Sequence, residues 1–380
     1  MLVVFVIMLG FGIVAPVLPL FARSFGVGYG AAGLLISAFS FTRLGFDLFA
    51  GPLVDRWGEQ RASIAALLFV ALSSFFTALA PNFTLAVIFR GAGGAGSSLL
   101  FAALYSYLLK VVPKERMARA AGLFYGAFNI GVIAGSPLGG LIAGQFNLKA
   151  PLYFYSGVLV VAALMYRRFV PNPAHKAETE TPKTARARYK ALLGDRSFWR
   201  VAFTNLAYLW MISAVFDTLT PLFGRDHLHL SPTVIGGVYS VGLATEMLVL
   251  YPAGAVADRV GRRPVAVATF AWLVAIVSVL GLSSSTLVFF LLFAALGTAS
   301  GSSGVIPTAM LADVVPDESS GTAVGVFRFA GDVGLTLGPL VAGLTANAVG
   351  FKASFAIAVA PSFVALLLLA RMPETLKRSG

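Results

Sequence analysis

The chain has 380 residues, of which 58% are hydrophobic and only 12% are charged, and it carries a net charge of +12. Because soluble domains have roughly 45–50% apolar and about 25% charged residues, this composition excludes an ordinary soluble domain and predicts a protein that lies in a lipid bilayer. The chain has no Cys, which excludes disulfides and thiolate metal sites. Its three His, at 175, 227 and 229, fall in predicted loops, so we expect no metal site and no cofactor.

Twelve apolar runs follow one another, and most are close to the roughly 20 residues that a membrane-spanning helix needs. They lie at about 1–22, 30–54, 62–80, 83–109, 120–146, 150–166, 199–223, 233–257, 265–284, 286–312, 320–348 and 352–370. A long polar stretch separates the sixth run from the seventh. We therefore predict an all-α membrane protein with two pseudo-symmetric six-helix bundles, residues 1–168 and 199–380, joined by a cytoplasmic linker at 169–198.

The two halves of the chain are an internal duplication. The segment Gly51-Pro-Leu-Val-Asp55-Arg56-Trp-Gly58 returns 203 residues later as Gly254-Ala-Val-Ala-Asp258-Arg259-Val-Gly261. The same offset relates four glycines of the fifth run to four of the eleventh: Gly122, Gly131, Gly135 and Gly140 correspond to Gly325, Gly334, Gly338 and Gly343. Repeats with a charged turn between apolar runs are typical of transporters whose site lies between two bundles.

The basic residues are distributed unevenly between the two sides of the predicted membrane. With the N-terminus in the cytoplasm, 21 of the 28 Lys and Arg fall in cytoplasmic segments. Only four, Arg23, Lys149, Arg225 and Lys352, fall in outer loops. The positive-inside rule therefore predicts that both termini and the linker are cytoplasmic. The excess of basic residues is therefore explained by membrane topology, and we expect no nucleic-acid partner.

The duplicated turn resembles the signature of the major facilitator superfamily, and the resemblance covers nearly the whole chain. It implies a cytoplasmic gate in which Asp55 caps the N-terminus of helix 11 and Asp258 that of helix 5, while an Asp that only caps its own turn is the alternative. The first copy departs from the family at Glu59-Gln60, where a basic residue is usual. The predicted gate residues are Gly51, Asp55, Arg56, Gly58, Gly254, Asp258 and Arg259.

Two further motifs resemble those of proton-coupled exporters in this family. Arg90-Gly-Ala-Gly-Gly94 is similar to an Arg-x-x-x-Gly motif of helix 4, and the glycines of the fifth run are similar to a motif that marks antiporters. Small residues at four-residue spacing let helix backbones approach closely, and Pro bends a helix. The predicted hinge and packing residues are Gly131, Gly135, Pro137, Gly334, Gly338 and Pro339. Helix packing with no bearing on transport direction is the alternative.

Seven ionisable residues lie within the apolar runs, where each costs about 2.5–3.5 kcal/mol on insertion scales. They are Arg43, Asp47, Arg90, Asp217, Glu246, Arg328 and Asp332. Depth along the helices brings Asp47 level with Arg328, and Arg43 level with Asp332, which predicts pairing across the two halves. Each Arg–Asp pair is also spaced i, i+4 within one helix, so bridges within helices 2 and 11 are the alternative.

Glu246 corresponds to Arg43 through the 203-residue offset, and we expect it near Asn129 and Tyr125 with no Arg at its level. Burial without an opposite charge favours a protonated carboxyl, which predicts that Glu246 carries a proton. The other candidates for proton coupling are Asp332, Asp217 and Asp47, and the predicted charge partners are Arg43, Arg90 and Arg328. For Asp217 the alternative is a solvated residue at the cavity mouth, and for Arg90 it is a structural role.

Residues near the charged levels are candidates to line an apolar cavity. They are Tyr125, Phe128, Asn129, Phe216, Tyr239 and Phe327. Packing in the core is the alternative for each of them, because a chain with 32 Phe and 11 Tyr must bury most of its aromatic rings in lipid or protein.

The motifs and the embedded acids together predict a secondary active transporter in the bacterial inner membrane. We expect a monomeric proton-coupled antiporter that exports small hydrophobic or amphipathic compounds by alternating access. A lipid, lysolipid or sugar carrier on the same fold is the first alternative, and a non-transporting receptor or scaffold is the second. An enzyme is not expected, because no nucleophile, His base or metal cluster lies at membrane depth.

Overall fold

The computed structural model describes residues 1–112, 116–170, 194–315 and 320–376, and the regular elements in these ranges are all helices. We number the spans α1 to α12. They are α1 (Leu2–Val14 with Leu18–Arg23), α2 (Tyr29–Trp57), α3 (Glu59–Leu79), α4 (Phe83–Val111), α5 (Met117–Gln145), α6 (Ala150–Phe169), α7 (Arg196–Met211, Ile212–Leu219 and Thr220–Asp226), α8 (Pro232–Val260), α9 (Arg262–Leu280) and α10 (Thr286–Val314). The last two spans lie in Ser320–Ala358 and Ala360–Ala370, and the break between them is at Gly350. The part before Gly350 is α11, and the part after it, through Ala370, is α12.

Eleven helical stretches of the described chain are long and apolar enough to cross a membrane. The last of them, Ala323–Ala370, has 48 residues, which is more than twice the length that a bilayer core of about 30 Å requires. Its backbone breaks at Gly350, where φ is 80°. Since residues with a side chain rarely adopt such a φ, Gly350 allows the chain to turn back. The stretch is therefore two spans, and the predicted twelve-helix, all-α architecture is confirmed.

The internal duplication is visible in the helix bounds. Tyr29–Trp57 becomes Pro232–Val260, and Phe83–Val111 becomes Thr286–Val314, when 203 is added to each number. The N-terminal caps correspond as well, because Asn82 accepts a hydrogen bond from the Leu85 N–H and Ser285 accepts one from the Val288 N–H. The two halves thus repeat the same helices and the same helix starts.

Each of two compact units has its own packing. The first comprises Met1–Ala177 and Thr220–Ser240, and in it α1 packs on α5 while α4 packs on both α2 and α3. The second comprises Glu178–Leu219 and Val241–Gly380, where α7 packs on α11 and α9 packs on α10. The first unit thus includes the end of α7 and the beginning of α8. The predicted bundle boundaries stay a prediction, and residues 171–193 of the predicted linker lie outside the described residues.

We expect the linker and the α9–α10 turn to lie on opposite sides of the membrane. Ala177 falls in the linker, and Ser284 is an exposed residue of the turn. Because the chain has no Cys, a single Cys at either position can be labelled without background. In right-side-out vesicles, an impermeant maleimide is expected to label Ser284→Cys from outside, and Ala177→Cys only after the vesicles are opened. Labelling of both positions from outside would reject the arrangement.

Candidate transport site

Glu246 lies on α8 and is held by two hydroxyl groups from other helices. The Tyr208 hydroxyl of α7 donates to Oε1 at 3.2 Å, and the Ser300 hydroxyl of α10 donates to Oε2 at 3.0 Å. Both donors are uncharged, and Glu246 itself is half-buried. A hydroxyl can also accept a hydrogen bond, so this arrangement accommodates either the carboxylate or the protonated acid.

Two glycines allow α10 to approach Glu246 closely. A Cβ on Gly301 would lie 2.9 Å from the Glu246 carbonyl carbon, and one on Gly297 would lie 2.8 Å from the Gly242 carbonyl carbon. Real Cβ atoms do not come this close to backbone, so only Gly fits these positions. The close approach brings the Ser300 hydroxyl within reach of Glu246. The sequence pointed to Glu246 but missed Ser300 and Tyr208 as its donors.

Asp217 lies in a π-helical segment of α7, Ile212–Leu219, and is half-buried. Its carboxylate is near enough for its charge to act on Glu246. A π-helical turn changes the direction in which side chains point and is frequent at functional sites. The second unit therefore has a carboxyl group on α7 and another on α8 whose negative charges repel each other.

Arg43 and Asp47 of α2 both have contacts with α4, and a bridge between them within α2 stays an alternative. The guanidinium of Arg43 lies 5.8 Å from the centre of the Phe101 ring of α4. Asp47 is exposed and accepts a hydrogen bond from the Ser98 hydroxyl, also of α4. Both charged groups therefore face α4. On α11, Asp332 is buried and Arg328 is exposed, and their pairing with α2 stays a prediction.

Arg90 of α4 is the most deeply buried of the three membrane arginines, with 4% of its surface exposed. Its guanidinium lies 4.2 Å from the centre of the Phe39 ring, and such a cation–π contact partly offsets the loss of water. Nε and Nη1 of this guanidinium have no hydrogen-bond partner within the described chain. Unsatisfied buried donors are costly, which makes Arg90 a candidate for interaction with an anion.

The predicted cavity residues fall into two groups. Phe128 lines a small, largely apolar cavity of about 90 Å³ in the first unit, together with Arg43, Phe101 and Tyr155. Tyr125 is exposed and Asn129 is half-buried, both on α5. The remaining three are buried: Phe216 packs on Phe293 with ring centres 4.6 Å apart, Tyr239 is 3% exposed, and Phe327 belongs to a core cluster with Phe198 and Met310.

The predicted hinge residues pack their helices closely. A Cβ on Gly131 of α5 would lie 2.6 Å from the Phe5 carbonyl oxygen of α1, and one on Gly135 would lie 3.0 Å from the Ile13 nitrogen. Gly334 and Gly338 of α11 approach the backbone of Trp210 on α7 in the corresponding way, at 2.8 and 2.9 Å. Pro137 and Pro339 lie inside α5 and α11. The corresponding packing of α5 on α1 and of α11 on α7 extends the duplication to these helices.

The glycines that end the two gate motifs are required by the backbone. Gly58 has a φ of 79° and Gly261 a φ of 125°, each at the turn into the following helix. Such angles strain any residue that has a side chain. Asp55, Arg56, Asp258 and Arg259 are exposed near the ends of α2 and α8, as is Gly51, while Gly254 is half-buried. The contacts of Asp55 with α11 and of Asp258 with α5 stay predictions.

Each half has an ion pair beside its gate motif, and the charges are reversed between the halves. In the first half, Lys110 Nζ of α4 lies 2.5 Å from Glu59 Oε1 of α3. In the second half, Arg262 Nε of α9 lies 3.2 Å from Asp313 Oδ2 of α10. The offset of 203 relates Glu59 to Arg262 and Lys110 to Asp313. The departure of Glu59 from the family pattern is thus matched by a Lys on the neighbouring helix.

Glu374, which follows α12, caps the beginning of α9. Its carboxylate accepts hydrogen bonds from the N–H groups of Arg262, Arg263, Thr375 and Leu376 at 2.8 to 3.2 Å. Partial burial acts to raise the pKa of Glu374, but these backbone donors outweigh it and lower the pKa below its usual value. In the first half, Gln60 instead donates to the Val170 carbonyl at 2.6 Å. The Gln60 contact joins the turn between α2 and α3 to the end of α6. The Glu374 contacts join the turn between α8 and α9 to the segment after α12.

Comparison with known proteins gives the chain a family. A family model described as Major Facilitator Superfamily matches residues 1–249 and 225–380. The chain is 25% identical over 245 residues to the quinolone resistance protein NorA of Staphylococcus aureus, with 62% of each chain covered. It is 24% identical over 251 residues to multidrug resistance protein 2 of Bacillus subtilis, covering 65% of this chain and 62% of that protein. The matches thus span less than two thirds of these relatives.

Solved structures share the fold at low identity. The nucleoside transporter NupG, as a D323A mutant, superposes with a TM-score of 0.82 at 14% identity and covers 99% of this chain and 98% of that one. A bacterial homologue of the human lysosomal transporter Spinster, in an inward-facing and occupied conformation, gives 0.80 at 13% identity, with 97% and 94% covered. Likeness at these identities describes the fold alone.

Proposed function

The chain belongs to the Major Facilitator Superfamily, and from that premise we propose that it is a proton-coupled antiporter that exports small hydrophobic or amphipathic compounds by alternating access. Two of its relatives are named as resistance proteins, one for quinolones and one for several drugs. The observation that carries the proposal is the half-buried Glu246 with its two hydroxyl donors.

Glu246 is the proposed proton carrier. A half-buried charge with only neutral donors gains less than one with an ionic partner, so taking up a proton is an accessible way to remove that charge. Because the Tyr208 and Ser300 hydroxyls can accept as well as donate, protonation need not break the site. An acid couples a gradient to motion only if its proton affinity differs between two states of the protein, and we propose that motion of α8 changes the surroundings of Glu246 in this way.

Asp217 is proposed to share the proton with Glu246. Two carboxylates that act on each other do not ionise independently, since the second charge must form beside the first. A positively charged substrate entering between them would replace the proton, which is the exchange that an antiporter needs. Two further acids are proposed to take part in proton coupling. They are the buried Asp332 in the second half and Asp47, which accepts a hydrogen bond from Ser98, in the first.

Arg43, Arg90 and Arg328 are the proposed charge partners of this system. Arg43 occupies the position that corresponds to Glu246, so the duplication places opposite charges at equivalent points of the two halves. Arg90 has free N–H donors in the first unit, and we propose that they hold an anionic group during part of the cycle. Phe101, Phe128 and Tyr155 provide an apolar wall beside Arg43. Because the cavity of about 90 Å³ is smaller than pockets for drug-sized molecules, we propose that this wall meets the apolar body of a substrate in another state of the cycle.

Asp55 is the proposed latch of the cytoplasmic gate, where it would hold the N-terminus of α11 in the outward-open state. Asp55→Asn removes the anion but keeps the size of the side chain, so we expect slower transport and a larger inward-open population. Spin labels on Arg61→Cys and Pro264→Cys, at the cytoplasmic beginnings of α3 and α9, would report the change as a longer mean distance. An unchanged distance distribution together with unchanged transport would count against the latch.

The direct test of the substrate class is uptake into proteoliposomes under an imposed pH gradient. The panel contains a quinolone, a lipophilic cation such as ethidium, a lysolipid and a sugar, each also measured in protein-free vesicles. We expect the drugs to accumulate when the gradient is imposed and to leave when it is collapsed with a protonophore. Accumulation of only the lysolipid or the sugar would identify a different carrier, and no transport of any compound would favour a receptor or scaffold.

A further inference from the structure

A cavity of about 920 Å³ opens among the ends of α1, α5, α7 and α8 and the turn before α6, all within the first unit. Its volume lies within the roughly 300–1,000 Å³ that is usual for pockets that bind drug-sized molecules. None of the residues considered above for proton coupling or for the apolar cavity lines it. The predicted topology places these helix ends on the outer side of the membrane.

Three of the four basic residues predicted for the outer side line this one cavity. They are Arg23 from the end of α1, Lys149 from the turn before α6, and Arg225 from the end of α7. The fourth, Lys352, lies elsewhere. Asp226 is the one acidic residue in the lining, so the cavity holds three positive groups against one negative group.

Asp226 is already engaged by Arg23 and Tyr29. Arg23 Nε lies 3.6 Å from Asp226 Oδ2, and the Tyr29 hydroxyl is hydrogen-bonded to the same carboxylate. The Arg23 guanidinium also lies 4.5 Å from the centre of the Tyr29 ring and donates to the Val27 carbonyl. These contacts compensate the charges of Arg23 and Asp226 within one small network.

The other two basic residues of the cavity, Lys149 and Arg225, do not belong to this network. Both are exposed, and neither side chain makes a hydrogen bond or ion pair with any residue in the described ranges. The lining also includes apolar residues, of which Leu148 and Pro232 are half-buried. The cavity thus has two uncompensated positive charges near partly exposed apolar groups.

We propose that this cavity binds an amphipathic organic anion, whose charged group lies between Lys149 and Arg225 and whose apolar part lies against Leu148 and Pro232. A carboxylate or phosphate gains charge-assisted hydrogen bonds from two cations, and the apolar part gains the free energy of leaving water. Such an anion comes either as a free compound on the outer side or as the headgroup of an anionic lipid in the outer leaflet.

Occupancy of the site would oppose the transport cycle. Its walls come from α1, α5 and the turn before α6 in the first half of the sequence, and from α7 and α8 in the second. Any motion that separates these helix ends must break the site, so a bound anion stabilises the arrangement in which they are packed together. The inhibition, unlike the binding, rests on the proposed function.

Binding is tested on the purified protein in phosphatidylcholine nanodiscs with radiolabelled octanoate, a carboxylate with a short apolar chain. We expect saturable binding that weakens as salt is added. The double variant Lys149→Gln, Arg225→Gln is expected to bind at least tenfold more weakly, because it removes both free cations. Lys352→Gln is the matched control, since it removes an outer cation outside the cavity, and it is expected to bind as the wild type does.

The two sources of the anion are separated by repeating the measurement in nanodiscs that contain phosphatidylglycerol. If octanoate binding falls there, and falls in a way that requires Lys149 and Arg225, the lipid headgroup occupies the site. If octanoate binding is undiminished, a free anion is the occupant. Equal binding by the wild type and the double variant, or no saturable binding by the wild type, would overturn the proposal.

The inhibition is tested separately in proteoliposomes. Octanoate on the outer side, at concentrations that saturate its binding, is expected to slow transport by the wild type and by Lys352→Gln but not by the double variant. Saturable octanoate binding with no transport of any compound would reject the proposed function and leave the anion site standing. Transport without octanoate binding would reject the site and leave the function standing.

Discussion

Glu246→Gln is expected to abolish transport against a gradient while leaving substrate binding in place. The Gln side chain has nearly the size of Glu and can still bond the Tyr208 and Ser300 hydroxyls, so it resembles the protonated acid without being able to release a proton. In proteoliposomes with an imposed pH gradient, we expect accumulation to fall at least tenfold, to the level of downhill exchange. Binding of the same compound to purified protein is expected to change little.

Two further variants make this result specific. Ser300→Ala removes one donor to Glu246 but keeps the acid, so it is expected to retain concentrative transport with an altered dependence on pH. Asp332→Asn removes the buried acid of α11 and is expected to abolish coupling if Asp332 takes part in the switch. Concentrative transport by both Glu246→Gln and Asp332→Asn would show that neither acid is the coupling site, and Asp217 and Asp47 would then be the remaining candidates.

Reversing the charge of Glu59 is expected to have the largest effect on stability. Glu59 is 1% exposed and is paired with Lys110, whose side chain is 24% exposed, so Glu59→Lys places two positive groups side by side and leaves one of them buried. Breaking a fully buried ion pair costs about 3–5 kcal/mol, and we expect a smaller loss here because Lys110 reaches water. The second change Lys110→Glu restores opposite charges in the order that Arg262 and Asp313 have in the other half, and we expect it to recover most of the lost stability.

The measurement is thermal unfolding of the purified protein, with the amount of folded protein in the membrane as a second readout. Each single charge reversal is expected to lower the unfolding temperature, and the double reversal to return it close to that of the wild type. The same design applied to Arg262→Asp and Asp313→Arg serves as the matched series in the second half. Single variants as stable as the wild type, or a double variant less stable than either, would contradict the role of the pair.

Much of the fold can be predicted from the sequence because lipid imposes a simple rule on it. Every span must be long and apolar, so the twelve runs mark the helices, and the break at Gly350 falls between the runs that end at 348 and begin at 352. The duplication was also readable, since one offset relates motifs across most of the chain. Gly58 could be identified from the duplicated motif, and the structure gives the physical reason, because Gly58 and its counterpart Gly261 have a positive φ.

The partners within the site could not be predicted in the same way. Ser300 reaches Glu246 because Gly297 and Gly301 let α10 lie close to α8, while Tyr208 reaches it from α7. Both contacts depend on how helices rotate and pack. The π-helical segment around Asp217 has no clear signal in composition. The reversed pair of Glu59 and Lys110 had a signal, but it becomes visible only when the two halves are aligned and the charges are compared position by position.

Proton movement driven by substrate alone tests the exchange most directly. Proteoliposomes are loaded with a pH-sensitive dye and clamped at zero membrane potential with K⁺ and valinomycin, with no pH gradient at the start, and a compound that accumulates in the panel assay is then added outside. The antiporter predicts that inward movement of the compound drives protons out, so the interior becomes more alkaline in the wild type and stays unchanged in Glu246→Gln. Entry of the compound into wild-type vesicles with no change in internal pH would contradict proton coupling.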